Sequence, residues 1–190
     1  YQLKSARSFA LSLSNEYQVV SKPVNSITVT SYFFPEDYLA GVASLQATVD
    51  ALEVFSKELG VYPHASLSIV EAAFADGMEY DGLYFLDQNL YKTYNGEVRS
   101  YLTTIAAHET AHQWWYGAVA NDQALEPWLD EALSTYSERL YYENLHPEGL
   151  DWWWTYRVNY YLPSGWVDGS IYNPEGFRAY RDAIYLNGAL

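Results

Sequence analysis

Cysteine is absent from this chain of 190 residues. Disulfide bonds are therefore excluded, and so is any metal site built from thiolates. The sequence also lacks the Gly-x-Ser-x-Gly turn that presents a nucleophilic serine, and it lacks a phosphate-binding glycine loop. Serine or cysteine nucleophiles and nucleotide chemistry consequently have little support.

Basic residues are few, since 10 Lys and Arg stand against 24 Asp and Glu and give a formal net charge of −14. Nucleic-acid binding requires a basic surface that releases counterions, so we expect no nucleic-acid partner. The acidic surface mildly favours cationic ligands such as a free amino terminus, although its more ordinary role is to keep a domain soluble.

Long apolar runs are also missing. No run approaches the roughly 18 residues needed to cross a bilayer, so we expect no membrane span in this chain. Residues 1–7 lack a secretory signal and an initial methionine, and residues 185–190 stop inside an apolar pattern without a helix-ending residue. We interpret the chain as a piece of a longer protein, whose remaining domains are its partners.

What the chain has in abundance is aromatic and aliphatic residues, and 49% hydrophobic content indicates a globular fold. Residues 8–13 and 26–33 alternate in polarity, which predicts strands, with turns at Asn15, 22–23 and 24–25. Strands followed by helices predict an α+β fold rather than an alternating parallel sheet. The later predicted elements are a helix at 38–59 ended by Gly60, strands at 66–70 and 83–86 flanking a glycine-containing turn around Gly77 and Gly82, helices at 98–119 and 127–145, and short helices and loops at 146–176.

The sequence HETAH at 108–112 lies within the predicted helix 98–119. Residues four apart share one face of a helix, so the imidazoles of His108 and His112 can reach one ion, and Glu109 can take a proton from a water bound there. Chance core histidines are the alternative, but this five-residue pattern arises by chance in only about a percent or less of chains this size. The motif therefore predicts a zinc site with Glu109 as general base.

A catalytic zinc site needs a third protein ligand from another element. Eighteen residues separate His112 from Glu131, which lies in the next predicted helix. The turn 117–126 is long enough to bring that helix back antiparallel to the first. Glu131 belongs to a polar stripe on an otherwise apolar helix, and such a stripe needs a polar group to face. The stripe consists of Glu131, Thr135, Glu138 and Tyr142.

The HETAH motif followed by WLDE at 128–131 resembles the gluzincin zinc aminopeptidases, a family that includes the alanyl, puromycin-sensitive and leukotriene-hydrolase-like enzymes. The resemblance extends to HQWW at 112–115, EPWL at 126–129 and GVYP at 60–63. It implies a thermolysin-like catalytic domain, a mixed sheet with helices, over residues 35–190, cut at its C-terminal end. Residues 1–34 then resemble the tail of the family's N-terminal β domain.

The same family carries a Gly-x-Met-Glu-Asn segment whose glutamate holds the free amine of the substrate. The segment DGMEY at 76–80 resembles it, shifted by one residue and with Tyr80 in the asparagine place. The resemblance implies that Glu79 binds the amine, with Gly77 and Met78 beside the substrate. Such a segment suits an edge strand along which a peptide can lie, and Gly77 permits close backbone approach. An ordinary turn with a solvated glutamate is the alternative.

The family also stabilises the oxyanion with a tyrosine in a Tyr-x-x-Gly context. The sequence YLNG at 185–188 matches, with Asn187 in the usual lysine place, so the resemblance implies this role for Tyr185, with Tyr180 as the fallback. Glu138 is a candidate partner for a ligand histidine, and its alternative is an exposed carboxylate near Arg139.

Together these residues and the family resemblance imply one Zn²⁺ and hydrolysis of the peptide bond after an unblocked N-terminal residue. The substrate partner is then a peptide with a free N-terminus. Two alternatives remain. The chain can be a non-catalytic zinc-binding scaffold, which the altered 76–80 segment mildly favours and the intact Glu109 opposes. It can also be an endopeptidase, since only Glu79 marks the amine end.

Overall fold

The computed structural model describes residues 3–161, 185 and 187–189. Within this part the strands form one mixed sheet of five in the order β1-β2-β3-β5-β4. The strands are β1 (Gln18–Val24), β2 (Ile27–Phe33), β3 (Ser66–Ala72), β4 (Gly77–Tyr80) and β5 (Leu83–Asp87). The helices are α1 (Tyr38–Glu58), α2 (Gln88–Lys92), α3 (Tyr101–His112), α4 (Trp128–Leu145) and α5 (Leu150–Trp153).

The N-terminal region differs in part from its prediction. Residues 8–13 form no strand, and Phe9, Leu11 and Leu13 are exposed, so their alternation does not reflect a buried sheet face. The 22–23 pair, predicted as a turn, lies within β1, where Pro23 is tolerated because β1 is an edge strand. The turn predicted at 24–25 lies one residue later, at 25–26, since Val24 pairs with Ile27 in the β1–β2 hairpin and Asn25 takes a left-handed conformation.

Parallel pairing is more extensive than the order of elements indicated. Strands β2, β3 and β5 are mutually parallel, and α1 makes the connection from β2 to β3, while β1 and β4 are antiparallel edges. The coarse α+β prediction is confirmed by this mixed sheet with its helices. Because β2 pairs with β3, the sheet continues across residue 34, where a domain boundary is predicted. That boundary stays a prediction.

The core lies between the sheet and the helices and centres on α3. Every residue from Leu102 to His112 is buried, because α3 packs against α1, α4, β4 and β5. A helix surrounded on all sides must pair its polar groups internally. The hydroxyl of Tyr84 on β5 is hydrogen-bonded to that of Thr48 on α1 at 2.5 Å. It also lies 3.3 Å from the hydroxyl of Thr110 on α3.

Helix boundaries follow local signals. Ser100 caps α3, its hydroxyl accepting the Thr103 N–H, and Pro127 directly precedes α4. The predicted helix 98–119 is divided, since Gln113–Val119 forms a wider π-helical turn after α3. Among the described residues, no helix combines the length and apolar character that crossing a membrane requires.

Candidate metal and peptide-binding site

Helices α3 and α4 lie side by side and run in opposite directions. Three cross-helix contacts fix their register: Thr104 with Tyr142, His108 with Glu138, and His112 with Asp130. The polar stripe predicted on α4 therefore faces α3. This register brings the predicted ligands of both helices to one place.

Each motif histidine is held by a carboxylate at one nitrogen and faces Glu131 with the other. His108 Nδ1 lies 2.7 Å from Glu138 Oε1, and His112 Nδ1 is hydrogen-bonded to Asp130. The Nε2 atoms lie 3.2 Å (His108) and 3.6 Å (His112) from the same oxygen, Glu131 Oε2. Glu138 and Asp130 thus orient the rings so that both Nε2 atoms point toward Glu131.

This donor set fits a zinc ion. Two imidazole nitrogens and one carboxylate oxygen are ligands that catalytic zinc prefers, and a carboxylate behind each ligand histidine fixes its tautomer. Potential ligand atoms of His108, Glu109 and His112 also lie within 4.8 Å of one another. His108, His112 and Glu131 could hold the metal, with Glu109 beside it.

Surrounding carboxylates control the protonation of both histidines. Burial alone lowers the pKa of His108, but hydrogen bonds to Glu131 and Glu138 outweigh burial and raise it to about 9. Burial also lowers the pKa of His112, but the carboxylates of Asp130 and Glu131 outweigh burial. The pKa of His112 therefore lies well above its usual value. Because a ligand histidine must be neutral, metal binding at this site has to displace protons.

Glu109 is buried next to the histidines, only 4% exposed. Burial raises the pKa of Glu109 to about 8, although the neighbouring His112 and His108 oppose this. Its Oε2 is buried and has no hydrogen-bond partner within the described part of the chain. A buried carboxylate oxygen without a partner, beside a candidate metal site, is suited to accept a proton from a ligand.

Strand β4 forms the edge of the sheet that faces this site. The segment predicted as a turn around Gly77 is therefore an edge strand, the element that we consider suited to residues 76–80. Met78, Glu79 and Tyr80 line a cleft of about 280 Å³, and Asp130 and Glu131 line it as well. Glu79 is 9% exposed, which contradicts the solvated-glutamate alternative.

Gly77 allows β4 to lie against the candidate base. A Cβ atom at this position would overlap the carboxylate of Glu109. The glycine is therefore required by close approach, and a larger residue must displace Glu109.

We expect Gly77→Ala to lower kcat by about 100-fold, since a shift of about 1 Å in a catalytic group can cost that much. Steady-state kinetics with a peptide substrate measures the effect. Gly96→Ala is the control, because that glycine has a positive φ of +85° but no atom within 4 Å of the added Cβ. It should cost stability without changing kcat, and an equal kcat for Gly77→Ala and wild type would contradict the packing argument.

Tyr185 reaches the site from the far end of the chain. Its ring stacks on that of His108, with centroids 6.1 Å apart and planes 18° apart. The fallback Tyr180 and residues 162–176 of the 146–176 prediction lie outside the described residues. Glu138 is fully buried and pairs with Arg157 rather than standing exposed near Arg139.

Three residues of this site were not identified from the sequence: Asp130, Arg157 and Gln123. Asp130 could have been identified, because an antiparallel α4 places its carboxylate beside the second ring nitrogen of His112. Arg157 and Gln123 lie in a later short helix and in a loop, where periodicity gives no signal.

Known proteins match this chain over the residues that form the candidate site. The Peptidase family M1 domain matches residues 43–170, which include the whole candidate metal set. Endoplasmic reticulum aminopeptidase 2 of Homo sapiens is 28% identical over 131 residues, and that of Bos taurus is likewise 28% identical over 131 residues. In each case the alignment covers 65% of this chain and 14% of the relative.

The chain thus spans a small part of the relatives that it matches, but the family domain covers more than half of the chain. The two helices, their histidine–carboxylate pairs and the edge strand all lie within the matched range. On this evidence the chain belongs to peptidase family M1.

Proposed function

We propose that this chain is the catalytic part of a zinc-dependent aminopeptidase, which hydrolyses the peptide bond after an unblocked N-terminal residue. One observation carries the proposal. Both motif histidines use Nδ1 to bind a carboxylate and turn Nε2 toward the same oxygen of Glu131. The family membership and the aminopeptidase relatives support it.

The metal ligands in this proposal are His108, His112 and Glu131. A zinc ion bound there supplies a Lewis acid and lowers the pKa of a coordinated water toward about 7. Glu138 and Asp130 orient the two imidazoles and keep each Nε2 available.

Glu109 is proposed as the general base. It accepts a proton from the attacking water at its carboxylate and passes that proton to the leaving amine. Its burial favours this role, because desolvation makes the carboxylate more basic than an exposed one. Tyr185, stacked on His108, is proposed to donate its hydroxyl hydrogen to the oxyanion, a role typically worth about 10²–10³ in rate.

Glu79 is proposed to bind the ammonium group of the substrate. It lies on the edge strand β4, along which an extended peptide can pair through backbone hydrogen bonds next to Gly77 and Met78. The buried carboxylate of Glu79 on this strand favours substrates with a free, positively charged amino terminus. Tyr80, which also lines the cleft, takes the place of the family's asparagine.

The finer architecture belongs to the same proposal. We assign residues 35–190 to a thermolysin-like catalytic domain and residues 1–34 to the end of an N-terminal β domain. The antiparallel pair α3–α4 beside the edge strand β4 supports the assignment of the catalytic domain. The remaining domains of the full-length protein are then its structural partners.

Cleavage of a free peptide and of the same peptide with an acetylated N-terminus tests the function. We expect the full, zinc-loaded chain to hydrolyse the free peptide and to leave the acetylated one intact, because acetylation removes the charge that Glu79 binds. Equal cleavage of both would indicate an endopeptidase. Cleavage of neither would indicate a zinc-binding scaffold.

A further inference from the structure

The side chain of Gln123 joins two carboxylates that belong to different parts of the site. Its Nε2 lies 2.6 Å from Glu79 Oε1 and 2.5 Å from Asp130 Oδ2. Carboxylate oxygens accept hydrogen bonds, so the amide must turn its nitrogen toward them and give one hydrogen to each. A neutral donor between two anions offsets the repulsion that would otherwise separate them.

The loop that carries Gln123 is fixed by its own side chains. Asp122 accepts the N–H of Ala124 at its carboxylate and that of Glu126 at its carbonyl oxygen. Asn121 donates its side-chain amide to the carbonyl oxygen of Glu126. These bonds close a tight turn around Gln123, so its position is set before any ligand arrives.

An N-terminal residue secures the same loop from outside. The guanidinium of Arg7 donates to the carbonyl oxygens of Tyr116 and Asn121, at 2.8 and 3.0 Å. It also lies over the Tyr116 ring, 4.9 Å from the centroid. The loop is therefore held at both its beginning and its turn.

A continuous path of contacts consequently runs from β4 to the candidate metal ligands. Glu79 is bound by Gln123, Gln123 binds Asp130, and Asp130 binds His112. Ligand atoms of Glu79, His112 and Asp130 all lie within 4.8 Å of one another. The path is short enough that a change in the middle residue alters the separation of its two ends.

We infer that Gln123 is a positioning residue that fixes Glu79 relative to His112 and so confines cleavage to the first peptide bond. This inference rests on the proposed function. Gln123 engages Glu79 Oε1, and we assign Oε2 to the substrate ammonium. The side-chain amide of Gln123 binds Glu79 and Asp130 and so fixes Glu79 relative to His112. The substrate ammonium is then held one residue away from the reacting carbonyl.

The test compares Gln123→Ala with wild type on a free aminoacyl anilide and on its N-acetylated form, using the full chain loaded with zinc. We expect kcat/KM for the free substrate to fall by about 10- to 100-fold, mainly through KM, as loss of a hydrogen bond to a charged group implies. The acetylated substrate should stay uncleaved by both proteins, and zinc content should stay unchanged. Gln123→Glu, which replaces the donor by another acceptor, should lose at least as much.

Gln46→Ala is the matched control. Gln46 is an exposed glutamine on α1 that also donates to a carboxylate, Asp50, at 2.6 Å, but it lies outside the site. It should leave both substrates unaffected. No loss of kcat/KM on the free substrate for Gln123→Ala, or a loss that is accompanied by loss of zinc, would overturn the inference.

Binding of leucinamide to the zinc-free chain separates this inference from the proposed function. Wild type should bind leucinamide about 10- to 100-fold more tightly than Gln123→Ala, and the two should not differ for N-acetyl-leucinamide. Equal affinity for leucinamide overturns the inference even if wild type is an active aminopeptidase. Failure of wild type to prefer the free anilide instead overturns the proposed function, and it is read from wild type alone.

Discussion

Glu109→Gln is expected to abolish turnover while the protein stays folded and retains zinc. The amide has the shape of the carboxylate but cannot accept a proton, and general base catalysis typically contributes about 10²–10⁴ in rate. Glu109 is not among the proposed metal ligands, so metal content should not change. Kinetics on an aminoacyl anilide, with zinc analysis and a thermal melt of the same preparation, measures all three properties.

Glu53→Gln is the matched control for this substitution. Glu53 is an exposed carboxylate on α1, so the same chemical change there should leave turnover intact. Activity of Glu109→Gln close to that of wild type would remove Glu109 as the base. Loss of zinc together with activity would show that it supports the metal instead.

Glu138→Ala should produce the largest loss of stability in the site. Glu138 is fully buried and accepts hydrogen bonds from His108 at 2.7 Å, from the Trp153 indole at 2.8 Å and from Arg157 at 2.7 Å. Despite its burial, Arg157 and His108 lower the pKa of Glu138 to about 2, so it is an anion. Removal of Glu138 breaks its buried ion pair with Arg157, which typically costs about 3–5 kcal/mol.

The same substitution should weaken zinc binding by about 10–100-fold, because Glu138 orients His108. Denaturant unfolding and a chelator competition measure the two effects. Glu143→Ala on the same helix is the control, since its exposed pair with Arg139 at 2.7 Å should contribute only about 0–1 kcal/mol. If Glu138→Ala costs no more than Glu143→Ala, Glu138 does not have this central role.

The candidate metal ligands could be predicted from the sequence because their arrangement depends on helix geometry. A four-residue spacing places His108 and His112 on one face, and a long turn followed by a polar stripe places Glu131 opposite them. These relations need only regular helices and an antiparallel return. The contacts that the structure gives to Glu131 and Glu138 follow from the same geometry.

Other contacts could not be predicted because they depend on irregular backbone. Gln123 reaches Glu79 only through the turn that Asp122 and Asn121 stabilise, and Arg157 reaches Glu138 from a later short helix. No periodic pattern encodes such distances.

The errors in the fold prediction have a similar cause. Residues 8–13 alternate in polarity, yet they form no strand, because the backbone N–H groups of Arg7 and Ser8 bind the Asp81 side chain and direct the chain along the surface. Conversely, the 22–23 pair is predicted as a turn but lies within β1, where an edge position leaves the missing N–H of Pro23 without consequence. Local pattern does not show which neighbour a segment meets.

Metal analysis of the purified full chain tests the central claim most directly. The account predicts about one zinc per chain, lost when Glu131 is replaced by Ala and retained in Glu109→Gln. A wild-type chain that binds no zinc at neutral pH, or a Glu131→Ala variant that binds zinc as tightly as wild type, would contradict it.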